Sequence, residues 1–156
     1  FRLDGKIAVV TGGAGGIGTA LAKGLGAQGA TVVVSSRNQK NIEQVAKEMS
    51  EASGSEANAI ACDVTDEASV RDLVDTVVKE YGRLDVLVNA MGMNIKHDAF
   101  EYPMEEWDRL FEVNVKGTMI ACKWGGKAMK AQASGGAIVR SRRSPAQTGP
   151  DPSEVA

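Results

Sequence analysis

The sequence predicts a three-layer α/β/α protein built on a doubly wound parallel sheet. Three observations carry this expectation. Short apolar runs alternate with amphipathic helical stretches, their spacing fits strand–helix–strand crossovers, and a glycine-rich loop closes the first run. Strands joined by such crossovers run parallel and are covered on both faces, so they read as nearly continuous apolar segments.

The first strand is Lys6–Thr11 (K-I-A-V-V-T), which leads into Thr11-Gly12-Gly13-Ala14-Gly15-Gly16-Ile17-Gly18. From Gly16 onward, Ile17, Leu21 and Leu25 recur every four residues and mark one face of a helix. Thr31–Ser35, rich in Val, is the second strand. Asn38 is placed to cap the next helix, whose apolar stripe is Ile42, Val45, Ala46 and Met49. Asn58–Cys62 is a weaker third strand. Thr65 is expected to cap the helix that follows, with Asp66 and Glu67 complementing the dipole in its first turn. Val70, Leu73, Val74, Val77, Val78 and Tyr81 give that helix the strongest period in the chain.

Asp85–Asn89 is the fourth strand. Pro103, Glu105 and Glu106 open a long helix with the stripe Trp107, Leu110, Phe111, Asn114, Thr118 and Ala121, which places Trp107 in the core. Trp124 faces either the core or a subunit interface. The Asn114 amide is expected to point toward the core, where it must find hydrogen-bond partners. Gly136–Val139 begins a fifth strand, after which the pattern stops. Residues 140–156 combine three arginines with three of the chain's four prolines and show no period. A domain over 1–139 and an unstructured tail over 140–156 are therefore expected.

The chain has 156 residues, of which 43% are apolar, enough for one domain with a real core. Its net charge is −2, with basic residues interleaved among acidic ones, which argues against nucleic acid or an anionic membrane as partner. No apolar run reaches the roughly 20 residues that a membrane-spanning helix needs. Cys62 and Cys122 lack metal-ligand spacing and read as two buried free thiols of a cytoplasmic protein. No signal peptide is visible, although the sequence starts at Phe1 rather than Met. His97, the only histidine, has no metal-binding or general-base partners spaced nearby and reads as an exposed or substrate-loop residue. Met91, Met93 and Met104 flank the expected mouth of the site, where either apolar-ligand contact or simple packing accounts for them.

Glycines between a strand and a helix let the backbone approach a pyrophosphate, and the helix N-terminus then offers free N–H groups and its dipole. A glycine-rich turn alone is weak evidence, because a tight turn explains it equally well. Here, however, the G-x-x-x-G-x-G spacing resembles the T-G-x-x-x-G-I-G signature of the short-chain dehydrogenase/reductase family, and further motifs follow in order. Asp63-Val64 stands where the family places an Asp near the adenine and a backbone contact. Asn89-Ala90-Met91-Gly92 resembles the family's N-N-A-G motif. Asn114, in V-N-V-K-G, matches its long-helix Asn. The resemblance covers Leu3 to about Val139. It implies a Rossmann-type sheet with strand order 3-2-1-4-5, here incomplete at about five strands, and an NAD(P)-dependent oxidoreductase acting on a small-molecule substrate. It further implies cofactor contacts at Gly12, Gly16, Ile17, Gly18, Ser36, Arg37, Asp63, Val64, Asn89, Ala90 and Gly92. Asn114 would be the catalytic-site residue that helps hold a water beside the family's lysine. Members commonly form homodimers or homotetramers through two long helices, and only one of these occurs in the present sequence.

Cofactor choice turns on the end of the second strand, where NAD-preferring proteins offer a carboxylate to the ribose 2′-hydroxyl. Ser36 stands there instead, and Arg37 follows. Nothing repels a 2′-phosphate and Arg37 can bind one, so NADP is preferred, with NAD the alternative.

The family's chemistry uses a Ser after the fifth strand and a Tyr followed four residues later by Lys, whose charge makes the phenol useful near neutrality. Gly135-Gly136-Ala137-Ile138-Val139 fits the approach to that Ser, but Arg143 stands at its place. Neither Tyr81 nor Tyr102 begins a Y-x-x-x-K. As written, the polypeptide is expected to lack hydride-transfer activity. Three readings stay open. The parent protein is an alcohol or carbonyl oxidoreductase, the segment Asp98–Gly117 resembling sugar or sugar-acid dehydrogenases such as gluconate 5-dehydrogenases. Alternatively the chain is a non-catalytic dinucleotide-binding module, or an inactive product of a disrupted gene. The switch at Val139 to a stretch rich in Arg, Pro, Ser, Ala and Gly fits a frameshift or early truncation in a GC-rich gene. Sequencing the coding DNA is expected to show Ser followed by Y-x-x-x-K in an alternative frame after codon 139; finding it in neither frame rejects that origin.

Overall fold

The computed structural model describes residues 2–141. Strands β1 (Ile7–Thr11), β2 (Thr31–Ser36), β3 (Ala57–Ala61), β4 (Val86–Asn89) and β5 (Ala137–Arg140) form one sheet in the order β3-β2-β1-β4-β5. All four neighbouring pairs are parallel. Helices α1 (Gly16–Ala27), α2 (Gln39–Ser53) and α3 (Glu67–Tyr81) supply the first crossovers. The last is made by α4 (Met104–Phe111), a π-helical turn (Glu112–Gly117) and α5 (Thr118–Ala131). The expected topology is therefore the observed one. Individual boundaries move by a residue, and β5 runs through Arg140, the first residue of the expected tail. Residues 142–156, which make up the rest of that expected tail and include Arg143, lie outside the described residues.

Every residue of β1 is buried, because the strand is central and both of its faces are covered. Its side chains alternate between two cores. Val9, with Val33 and Leu87 from the neighbouring strands, packs against Val70, Val74 and Val77 of α3 and Ile120, Ala121 and Met129 of α5. Ala8 and Val10 join Val32, Val34 and Val88 against Ala22 of α1 and Ile42 and Met49 of α2. Fully burying a Val or Leu contributes roughly 1.5–3 kcal/mol, so these two faces supply most of the driving force. Asn38 caps α2 as its sequence position predicts, its Oδ1 accepting from the Asn41 N–H at 3.1 Å.

Two expectations change. Asp66, not Thr65, caps α3: its Oδ1 accepts from the Ala68 N–H at 3.0 Å. Thr65 is occupied with Asp63, whose Oδ1 accepts from the Thr65 hydroxyl at 2.8 Å. Trp107 and Phe111 are exposed rather than in the core, at 45% and 49% of their surface. A π-helical turn follows them. It separates α4 from α5, and although a stripe drawn at 3.6 residues per turn loses its phase across it, the exposure goes further, since no residue of α4 is buried on any face. Trp124 is half-buried beside the α3–α5 core, with Lys127 Nζ 4.2 Å from its ring centroid. Its indole N–H donates to Glu67 Oε1 at 3.0 Å.

The amino-terminal edge of the sheet is tied together by Asp85. Its buried carboxylate accepts from the Ile7 N–H at 3.0 Å and from Arg83 Nε at 2.7 Å, with Lys6 Nζ at 3.4 Å. Its backbone N–H donates to Ile7 O, and its carbonyl accepts from the Ala137 N–H. One residue thus joins the starts of β1, β4 and β5. Burial pushes the Asp85 carboxyl up, but the Arg83 hydrogen bonds, the Ile7 N–H and the charges of Arg83 and Lys6 outweigh it and hold the group below the usual carboxylate range. Asp85→Ala is expected to cost about 2–3 kcal/mol, seen as a lower denaturation midpoint. Because the folded-state value is depressed, the ionised carboxylate's contribution is complete above the unfolded-state value near pH ~4 and fades as pH falls through the folded one. Urea titrations between pH 7 and 3 should show that component in the wild type and not in Asp85→Asn.

Candidate functional site

In a doubly wound sheet a crevice opens at the carboxyl ends of the strands where successive crossovers diverge, here between β1 and β4. The β1–α1 loop enters it under severe steric limits. Gly12 has φ +70°, and a Cβ there would stand 2.6 Å from Met91 Cα and N. A Cβ on Gly13 would meet Val34 Cγ1 at 2.5 Å, and one on Gly18 would collide with the Gly12 carbonyl. These three glycines are required by packing. Gly16 differs: its Cβ would meet nothing within 4 Å, and the residue is exposed at the first position of α1. The fold leaves this position open, which fits close approach of a ligand rather than of protein. No side chain caps α1, and the N–H groups of Gly16, Ile17 and Gly18 have no acceptor among the described residues. Ile17 is half exposed beside them.

At the end of β2, Ser36 is half-buried and its carbonyl accepts from the Cys62 N–H, while Arg37 is exposed. Asp63 lies across from them at the end of β3. Its carboxyl is held below the usual range, first by the Thr65 N–H, then by the Thr65 hydroxyl and the Arg37 charge, against the opposing effect of burial. Asp63 is therefore ionised at neutral pH and braces its own turn, with Val64 beside it. Cys62 is buried, and burial pushes its thiol up, so it stays protonated and inert. Cys122 is half-buried rather than buried, and its Sγ accepts a hydrogen bond from Asn89 Nδ2 at 3.3 Å.

Asn89 ends β4 with its amide turned inward. Oδ1 lies 3.3 Å from Thr11 Oγ1, and Nδ2 meets Cys122. The Ala90 N–H donates to Thr11 O, binding the start of the β4–α4 loop to β1. The Thr11 hydroxyl also lies 3.6 Å from Met91 Sδ, and Thr118 Oγ1 lies 3.9 Å from the same sulfur. Farther along the loop, Asn114 meets Met93 twice: Oδ1 accepts from its N–H and Nδ2 donates to its carbonyl, both at 2.9 Å. Asn114 is thus half-buried and clamps the loop instead of pointing into the apolar core. A Cβ on Gly92 would stand 3.5 Å from Asn114 Oδ1, an ordinary contact, so packing does not demand a glycine there. The π turn carries Asn114, and its carbonyl accepts from the Thr118 hydroxyl at 2.8 Å.

These groups bound two adjoining clefts. One is lined by Gly12, Ser36, Arg37, Asp63, Val64, Ala90 and Gly92, the other by Gly16, Ile17, Gly18, Asn89 and Asn114 with the same loop. All twelve residues anticipated from the motifs meet at this one edge. Sequence reasoning missed Lys40, which shares a shallow groove with Ser36 and Arg37, and Arg140 with Ser141, which line the second cleft. Helical spacing from Arg37 could have flagged Lys40. Arg140 was obscured because it opens a stretch without periodicity. His97 is exposed, paired with Glu106 Oε2 at 2.7 Å and edge-on to Tyr102. No group of three or more His, Cys, Asp or Glu side chains able to hold a metal occurs among the described residues, and no helix there is long and apolar enough to cross a membrane.

The sequence profile of the short chain dehydrogenases matches residues 6–144. The chain belongs to that family. It is 41% identical over 139 residues to a D-threitol dehydrogenase of Mycolicibacterium smegmatis, covering 89% of this chain and 53% of that protein. Among solved structures, a short-chain type dehydrogenase/reductase from Mycobacterium marinum superposes with a TM-score of 0.86 at 33% identity, over 89% of this chain and 56% of the other. An NAD+-bound xylitol dehydrogenase superposes with a TM-score of 0.85 at 32% identity, over 90% and 54%. The chain spans about half the length of the relatives it matches. Members of this dehydrogenase family use NAD or NADP.

The two classes of glycine separate experimentally. Gly12→Ala is expected to cost about 2–4 kcal/mol, since it forces a left-handed conformation and a backbone collision together. Gly16→Ala should leave stability unchanged or raise it by up to about 1 kcal/mol, as alanine favours the helix. Denaturant unfolding of the two variants reads the difference.

Proposed function

We propose that these residues form the dinucleotide-binding part of an NADP-preferring oxidoreductase that moves hydride between the cofactor and an alcohol or carbonyl of a sugar, polyol or sugar acid. The observation that carries this reading is the open first turn of α1 beside glycines that the packing will not allow to change. The bound nicotinamide would supply or accept the hydride. The α1 amides at Gly16, Ile17 and Gly18 would hold the pyrophosphate. Gly12, Asp63, Val64, Asn89, Ala90 and Gly92 would shape the walls that receive the two nucleosides. Asn114, through its paired bonds to Met93, would position the β4–α4 loop beside the reacting carbon.

The NADP preference is supported by the charges at the start of α2. Ser36 presents no carboxylate, and Arg37 and Lys40 line the same groove. Asn38 spends its side chain on capping α2, which leaves the two cations to meet a 2′-phosphate. The named activities of the D-threitol and xylitol dehydrogenases support a polyhydroxy substrate. In this reading the whole protein is a cytoplasmic homodimer or homotetramer, and its two free thiols suit a reducing compartment. The 156 residues contain no Y-x-x-x-K, so by themselves they bind cofactor without turning it over.

Fluorescence titration tests the reading directly. The chain should bind NADPH saturably and more tightly than NADH, with no alcohol-dependent absorbance change in the reduced nicotinamide band. Arg37→Ala should weaken NADPH binding about 10- to 100-fold, with NADH affected less than about threefold. Ser36→Asp should reverse the preference. Gly16→Ala should weaken both cofactors while the protein stays folded. Equal affinity of the wild type for NADPH and NADH would overturn the NADP preference.

A further inference from the structure

We propose that Arg140 makes the β5 end of the second cleft an anion-binding point that takes a phosphate or carboxylate group. Arg140 stands opposite Asn89, which in turn stands opposite Thr11, so the three form one row across the carboxyl edge of the sheet. The Ser141 N–H donates to Asn89 O at 3.0 Å and fixes the strand end that carries the arginine. The side chain is exposed toward a cleft it shares with Asn94, Asn114 and the first turn of α1.

Charge makes this position distinctive. Among the described residues no Asp or Glu lines the cleft, and Arg140 is the one cationic side chain that does. Its guanidinium has no hydrogen bond or ion pair among the described residues. Arg83, by contrast, is engaged by Asp85, and Lys123 by Glu67. A planar guanidinium fork matches the paired oxygens of carboxylate and phosphate, and a partly enclosed site without competing carboxylates strengthens that match.

Two sources offer such a group. One is the pyrophosphate of the dinucleotide, and this source rests on the function proposed above. The other is the carboxylate of a small hydroxy acid, which does not. Parallel strands lie about 4.8 Å apart, which puts the end of β5 roughly 10 Å from that of β1. That spacing lets Arg140 either reach a phosphate held at α1 or hold a second anion of its own.

Calorimetric titration of the full chain, with Arg140→Gln and Arg140→Lys, tests the assignment using four probes: NADPH, 2′-AMP, D-gluconate and neutral xylitol. Arg140→Gln should weaken NADPH, gluconate or both about tenfold, and Arg140→Lys should recover much of the loss. Loss for NADPH identifies the pyrophosphate, and loss for gluconate in the absence of nucleotide identifies a carboxylate. Binding of 2′-AMP should stay within about twofold, because it engages the Arg37 end, and xylitol should not respond to the charge. Circular dichroism should show the variants folded, since every residue of β5 is exposed. The assignment is overturned if Arg140→Gln binds NADPH and gluconate within about twofold of wild type, or if wild type binds neither. Failure of NADPH and 2′-AMP to bind wild type, with Arg140-dependent gluconate binding intact, rejects the dinucleotide reading and keeps the anion point.

Discussion

The approach of Gly12 to the backbone of Ala90 and Met91 is the constraint on which the rest of the site depends. Two loops leaving adjacent parallel strands ordinarily diverge, because each must turn toward its own helix. Here they touch, and the contact needs both a left-handed residue and the absence of a side chain at the same position. The bond from the Ala90 N–H to Thr11 O holds the contact from the other side. With the two loops joined, α1 begins over the crevice and the β4 loop forms its opposite wall. Gly13 against Val34 and Gly18 against Gly12 are further close contacts of the same loop.

Much of this was legible in the sequence, for reasons that differ residue by residue. The strands were readable because a parallel sheet covered on both faces demands runs such as Ile7–Thr11, where every position is buried. The residues of the site were readable because their spacing is imposed by where a strand ends. Trp107 was misread because an apolar stripe shows which face of a helix is apolar and not that this chain covers it, and α4 buries no residue at all. Thr65 was misread as a cap because Asp63 and Asp66 compete for the same short turn, and carboxylate acceptors win both places. Met91 was seen only as a flexible apolar residue. Its contacts with the Thr11 and Thr118 hydroxyls arise between elements far apart in the chain, which no local pattern encodes.

Charge is divided across the sheet. At the amino-terminal edge the ionic groups are paired, with Asp85 surrounded by Arg83, Lys6 and a backbone N–H. At the carboxyl edge Arg37 and Arg140 stand in clefts, while Asp63 and Asn89 are committed to holding loops. The first arrangement stabilises the fold, since a buried carboxylate stripped of its partners costs several kcal/mol. The second contributes little to folding, since exposed charges seldom do, and is available to a ligand.

The position of Asp85 has a consequence for how such a protein changes over generations. Because one side chain ties the starts of β1 and β4 and its backbone meets β5, the sheet has an anchor that lies away from the ligand clefts. Exposed side chains at that opposite end, such as Arg37 and Arg140, can therefore be exchanged with little penalty in foldedness, and lineages sharing this scaffold can drift from one cofactor or substrate to another through single steps. The residues least free to vary would then be Asp85 at one end and the crowded glycines at the other, and the most variable the exposed side chains between those glycines and the ligand.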